Sequence, residues 1–132
     1  MAYALVMTLE VRAWLHDLRK RDRASAIQVG QAIGMLLEAG PELGRPLADR
    51  VHHCRLSNLK ELRPGSAGRS EIRILYIFDP RRNAVLLVAG DKAGKWEAWY
   101  RQAIPLAKQR YEDYRNKRTS DEQQRVPPLH PG

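Results

Sequence analysis

The chain has 132 residues and a formal net charge of +8, with 23 Lys and Arg against 15 Asp and Glu. That length suits a single domain that buries its own core without metal or disulfide support, and a lone cysteine, Cys54, rules out an internal disulfide. No apolar run is long enough to span a bilayer, and Leu5-Val6-Met7 is too short for the apolar part of a signal peptide, so a cytoplasmic protein without a membrane partner is expected.

Residues 2–7, AYALVM, read as a short edge strand, and Thr8 is a good N-cap for a helix in which Val11, Trp14, Leu15 and Leu18 recur at the spacing of one buried face. The charged run from Arg19 to Arg23 marks a surface turn. Helical periodicity resumes from Arg23 to Glu38, with Ala26, Val29, Ile33, Leu36 and Leu37 inward. Gly30 and Gly34 each disfavour a helix interior by roughly 1 kcal/mol relative to alanine, which predicts that they let this helix pack closely on the first. Gly40-Pro41 stops it. Residues 41–51 contain Gly44, Pro46 and Asp49 and read as a loop, in which Arg45 and Arg50 lie either near a polyanion or in water. His52-His53-Cys54 has the residue types of a zinc site, but neighbours in an extended segment point to opposite faces and no second cluster supplies further ligands, so no metal or other cofactor is expected.

Leu56–Arg63 is a candidate strand, joined by the loop PGSAGRS to Glu71–Phe78, EIRILYIF, whose β-branched and aromatic residues suit a strand. Asp79-Pro80-Arg81-Arg82-Asn83 supplies a turn, and Ala84–Ala89, AVLLVA, returns as an unbroken apolar run suited to a central strand covered on both faces. Trp96 to Tyr100 reads as an aromatic turn, and Pro105 suits the first position of a final helix with Ala107, Tyr111 and Tyr114 inward and Lys108, Arg110, Arg115, Lys117 and Arg118 outward. Residues 119–132, nearly devoid of apolar side chains and rich in Pro, are expected to be disordered, leaving 1–118 as the domain. The fold class is therefore α+β: two N-terminal helices packed on a small, mainly antiparallel sheet of about four strands, followed by a C-terminal helix. Cations concentrate towards the hairpin and the last helix, with six Lys and Arg against two Asp and Glu in residues 101–118. Such clustering suits a nucleic-acid partner as well as it suits a merely soluble surface.

The separated motifs GPELGRP at residues 40–46, NLKELR, RILYIFDP and GDKAGKW, closing on WY and IP, resemble the RelE/HigB superfamily of bacterial toxins, in its phage-derived HigB-like branch, over most of residues 5–115. The resemblance implies a RelE/ParE-like fold and a toxin of a type II toxin–antitoxin system, a ribosome-dependent, metal-independent endoribonuclease that cuts mRNA and stops translation. It also implies a cognate antitoxin, of helix-turn-helix, HigA-like type, whose complex with the toxin binds operator DNA. The alternatives are a ParE-like gyrase inhibitor that acts by binding, or a non-catalytic nucleic-acid-binding module.

Cutting RNA without metal needs an acceptor for the 2′-hydroxyl proton, cations for the phosphate and help for the departing 5′-oxygen. None of the four histidines falls on a predicted strand, so the work would fall to Arg, Lys, Glu and Tyr. Arg73, between Ile72 and Ile74 in a strand, either grips phosphate through its planar fork or forms a structural ion pair with Glu61 or Glu71; the resemblance places it at the arginine that contacts the scissile phosphate. Lys92 matches a second cationic position of the family, and Tyr100 its late tyrosine, which stacks or donates a proton, although Trp96 and Trp99 are similarly placed. Glu61 and Arg63 share a strand face. Relatives often carry lysine where Glu61 stands, which leaves two readings: Glu61 takes the proton, or no strong base exists and positioning dominates. Lys60, Arg63, Lys95, Arg81 and Arg82 are candidate RNA contacts.

Overall fold

The computed structural model of the chain describes residues 3–52, 54, 56, 58–66 and 68–124. Eight elements follow in order: β1 (Leu5–Met7), α1 (Leu9–Arg21), α2 (Arg23–Ala39), β2 (Ala48–Arg50), β3 (Lys60–Leu62), β4 (Ile72–Phe78), β5 (Ala84–Asp91) and α3 (Trp96–Gln124), with a single 3-10 turn at Gly40–Glu42 after α2. The strands form one sheet in the order β1-β5-β4-β3-β2, antiparallel throughout except for β1, which lies parallel to β5. The α+β class stands, with five strands rather than about four. The additional strand is β2, three residues of the expected loop that pair with β3.

Strand alternation gives the sheet two apolar faces. Leu62, Ile72, Ile74, Tyr76 and Leu86 meet Val11, Leu15 and Leu18 of α1 and Val29 and Leu36 of α2. On the opposite face, Leu59, Leu75, Ile77, Val85 and Leu87 meet Ala103, Ala107 and Tyr111 of α3. This is why AVLLVA is continuous: Ala84 to Val88 are all buried. Thr8 caps α1, its side chain accepting from the Val11 N–H, and Asp22 caps α2 by accepting from Ser25. Burial of α3 continues into its second half, where the Tyr114 hydroxyl donates to Asp79 Oδ2 at 2.6 Å and ties the helix to the β4–β5 turn.

Three expectations change. Helix α3 starts at Trp96, so the aromatic segment is its first turn and Pro105 lies in its interior. Pro105 is exposed, and the apolar period of Trp99, Ala103 and Ala107 against the sheet outweighs the one backbone hydrogen bond that a proline removes. The helix also reaches Gln124, beyond the boundary expected at 118, while 125–132 lie outside the described residues, as does His53. Gly30 and Gly34 are exposed, with open space where a Cβ would sit, so they do not serve close packing of α2 on α1. Replacing both by alanine is therefore expected to stabilise the protein by about 1 kcal/mol per site, read as a melting temperature several degrees higher. An unchanged melting temperature would show that something contacts this helix face in the folded protein. Among the described residues no helix is long and apolar enough to cross a membrane.

Candidate functional site

The register of three strands builds the site. Asp49 on β2 stands opposite Glu61 on β3, and Glu61 stands opposite Leu75 on β4. Two carboxylates facing each other across a ladder repel unless a cation joins them. Arg63 does so, donating from Nε to Glu61 Oε1 at 3.1 Å and from Nη2 to Asp49 Oδ2 at 3.3 Å. The Arg50 backbone N–H, more than any other influence, holds the Asp49 carboxyl below the usual carboxylate range. Arg73, two residues before Leu75 on the same strand face, brings its Nε within 3.3 Å of Glu61 Oε1, with that N–H not aimed at the carboxylate. Its Nη1 donates to the Ile72 carbonyl at 2.8 Å, and its side chain is 16% exposed.

The first turns of α3 close the site from above. Tyr100 donates its hydroxyl to Glu61, 2.8 Å from Oε1 and 2.9 Å from Oε2, and accepts from Lys92 Nζ at 3.3 Å. Lys92 also lies over the rings of Tyr100 and Trp96, 5.1 and 5.5 Å from their centroids. Burial, followed by the hydrogen bond to Glu61, pushes the Tyr100 hydroxyl well above the ordinary tyrosine value, so it stays protonated at neutral pH. Burial first, and then the Arg73 charge, lowers Lys92. Gly90 is needed beside this cluster, because a Cβ there would overlap the Trp99 indole nitrogen that lets α3 settle on the strand end.

These groups open onto a cleft of about 480 Å³ between β2, β3 and α3, whose lining includes Glu61, Arg63, Lys92 and Tyr100. Arg73 sits behind Glu61 rather than in the cleft wall. The rim adds Arg50, His52, Trp96 and Arg101, all exposed. Of these, Arg101 and His52 were missed from sequence: His52 lies off every strand, yet the turn after β2 carries it to the cleft, and only the pairing of β2 with β3 reveals that. Among the aromatics the structure separates three roles, since Trp99 packs on Gly90, Tyr100 binds Glu61, and Trp96 is 56% exposed. Among the described residues no three His, Cys, Asp or Glu side chains converge as a metal site would require.

Four expected RNA contacts lie elsewhere. Lys60 neighbours Glu61 in a strand and therefore points to the other sheet face, where its Nζ donates to the Pro41 carbonyl at 2.7 Å. Arg81 and Arg82 occupy the β4–β5 turn, roughly 20 Å from Arg73 at about 3.3 Å of strand per residue. Arg82 is engaged there with Tyr3, whose hydroxyl accepts from Nη2 at 2.7 Å. Lys95 is exposed in the turn before α3, outside the cleft lining.

This fold is shared with a solved structure of a mutant of the Escherichia coli toxin RelE in the free state, at a TM-score of 0.54 and 16% identity, covering 80% of this chain and 97% of that one. The chain is thus a RelE-like α+β protein with a cation-lined cleft at the end of its sheet. Within that class it belongs to the family described as Phage derived protein Gp49-like (DUF891), matched over residues 13–112. It is also 49% identical over 104 residues to a Mycobacterium tuberculosis protein named as toxin HigB2, covering 79% of this chain and 50% of that protein. A second relative from the same organism, named as toxin HigB3, is 47% identical over 111 residues, covering 84% of this chain and 92% of its own length. The chain thus spans about half of HigB2 and nearly all of HigB3. The resemblance carried by the separated motifs is borne out.

Proposed function

We propose that the protein is the toxin of a toxin–antitoxin pair and acts as a ribosome-dependent, metal-independent endoribonuclease on mRNA in the cytoplasm. The observation that carries this reading is the convergence of Arg63, Arg73, Lys92 and Tyr100 around buried Glu61 beside an open cleft with further cations at its rim. In the reaction the 2′-oxygen bonds to phosphorus, its proton passes to an acceptor, the bond from phosphorus to the 5′-oxygen breaks, and that oxygen takes a proton. Arg73 and Lys92 neutralise the phosphate as its charge grows, and Tyr100, held protonated, gives its proton to the 5′-oxygen. His52 brings to the rim an imidazole, the side chain most used for general acid–base work, as an acceptor for the 2′-hydroxyl proton. Glu61 is the anchor that orders both guanidinium groups rather than the base. Three cations set against two carboxylates leave little net charge to hold the phosphate, which makes a weak free enzyme, so holding the mRNA on the ribosome supplies the missing orientation.

The partners proposed with this reading are the ribosome and its mRNA, a helix-turn-helix antitoxin, and operator DNA reached through the antitoxin complex. Mapping mRNA 5′ ends after induction tests it. New ends inside translated codons are expected; intact transcripts accompanied by double-strand DNA breaks would instead establish gyrase inhibition.

A further inference from the structure

A second cavity, of about 550 Å³, lies along α3 and shares Ile104 with the cleft. The cleft takes Trp96, Tyr100, Arg101 and Ile104 from the helix, and the second cavity takes Ile104, Lys108, Tyr111 and Arg115, so one helix face lines both. At 100° per residue these side chains stay on a single stripe beside the face that packs on the sheet. The opposite wall is shared as well. Val51 and His52 border the cleft, and Cys54 and Leu56 border the second cavity. The two hollows meet at Ile104 and run end to end between α3 and Val51, His52, Cys54 and Leu56.

Arg101, Lys108 and Arg115 are spaced seven residues apart on that stripe and are all exposed. Seven residues rise about 10.5 Å along a helix, so the three cations form a row roughly 21 Å long leading away from Lys92 and Tyr100. Glu112 also lines the second cavity, 3.9 Å from Arg115, but both side chains are more than half exposed, where such pairs hold weakly in salt. Leu56, Ile104 and Tyr111 give the floor an apolar strip. Cations along an edge and apolar surface beneath are what a single-stranded nucleic acid meets well, its phosphates following the charges and its unstacked bases resting on the floor.

We infer that the groove along α3 is an extension of the cleft that binds the same RNA strand, several nucleotides beyond the reacting phosphate, through Lys108 and Arg115. The inference rests on the nuclease reading of the cleft. Binding both regions with one strand makes affinity depend on length, because the second contact becomes intramolecular.

The test uses the full chain and 2′-O-methyl oligouridines, which cannot be cut, of about 4 and about 12 nucleotides, the range of single-strand sites. Fluorescence anisotropy is expected to show the wild type binding the longer oligomer roughly tenfold more tightly. The double variant Lys108→Ala with Arg115→Ala is expected to bind the short oligomer as the wild type does, to lose the advantage of length, and to show a log–log salt slope smaller by about 1.4, about 0.7 for each lost phosphate contact. The double variant Arg19→Ala with Lys20→Ala removes the same charge from α1, across the sheet, and should leave the length dependence intact. Length dependence that survives loss of Lys108 and Arg115 overturns the inference, and so does failure of the wild type to bind either oligomer. Loss of antitoxin binding with length dependence intact also overturns it and makes the groove a protein-docking surface. If the wild type keeps its length dependence but codon-internal mRNA cleavage is absent, the nuclease reading fails while the RNA groove stands.

Discussion

Replacing Arg73 by alanine is expected to abolish growth arrest on induction while leaving the antitoxin bound. The guanidinium is mostly buried behind Glu61, close to Lys92 and Tyr100, and a preorganised cation beside developing charge is worth about 10²–10³ in rate. The fold has less need of it. Glu61 retains Arg63 and Tyr100, and Arg73 Nε makes no hydrogen bond that would be lost. Arg73→Lys separates charge from shape: an ammonium keeps the positive charge without the two-pronged grip, so partial activity, roughly tenfold or more below wild type, is expected. Growth curves, copurification with the antitoxin and 5′-end counts supply the three readouts. If Arg73→Ala is as toxic as wild type, the residue is structural, and the ion pair with Glu61 is its whole role.

Much of this arrangement is legible in the amino-acid sequence. The 3.6-residue period of Val11, Leu15 and Leu18 located α1, and the unbroken AVLLVA run placed β5 inside the sheet, where it is covered on both faces. Strand parity put Glu61 and Arg63 on one side, and the same parity sends Lys60 to the other, so its removal from the site was already implied. The distance of Arg81 and Arg82 follows likewise from the length of β4. What could not be read was pairing between distant segments. Three residues, Ala48 to Arg50, carry no periodicity of their own and become a strand only against β3, and this pairing brings Arg50 and His52 to the cleft and Asp49 to Arg63. The start of α3 was hidden for a related reason. Pro105 is a local breaker, but the helix is held by contacts between Trp99, Ala103 and Ala107 and a sheet face assembled from far along the chain.

Glu61 provides the second large effect, and its two substitutions part the roles that a carboxylate can have. Glu61→Ala removes the acceptor that Arg63 and the Tyr100 hydroxyl share and the charge partner of Arg73, inside a site where the Glu61 side chain is only 5% exposed. Breaking a buried ion pair by deleting one member destabilises by about 3 kcal/mol, so the melting temperature should fall by several degrees. Glu61→Gln keeps the shape and still accepts from Tyr100, so most of that stability should remain, while the cleft becomes more positive by one charge. RNA affinity should rise, because phosphate no longer competes with a carboxylate for Arg63 and Arg73. The effect on cleavage decides the chemistry. A general base contributes about 10²–10⁴ in rate, and an amide cannot replace it. A carboxylate whose oxygens already receive Tyr100 and Arg63, with Arg73 alongside, is engaged in holding cations, so cleavage by Glu61→Gln is expected to stay within about tenfold of wild type. A collapse of several hundredfold in a well-folded Glu61→Gln protein would make Glu61 the proton acceptor, and His52 would then be no more than a residue at the rim.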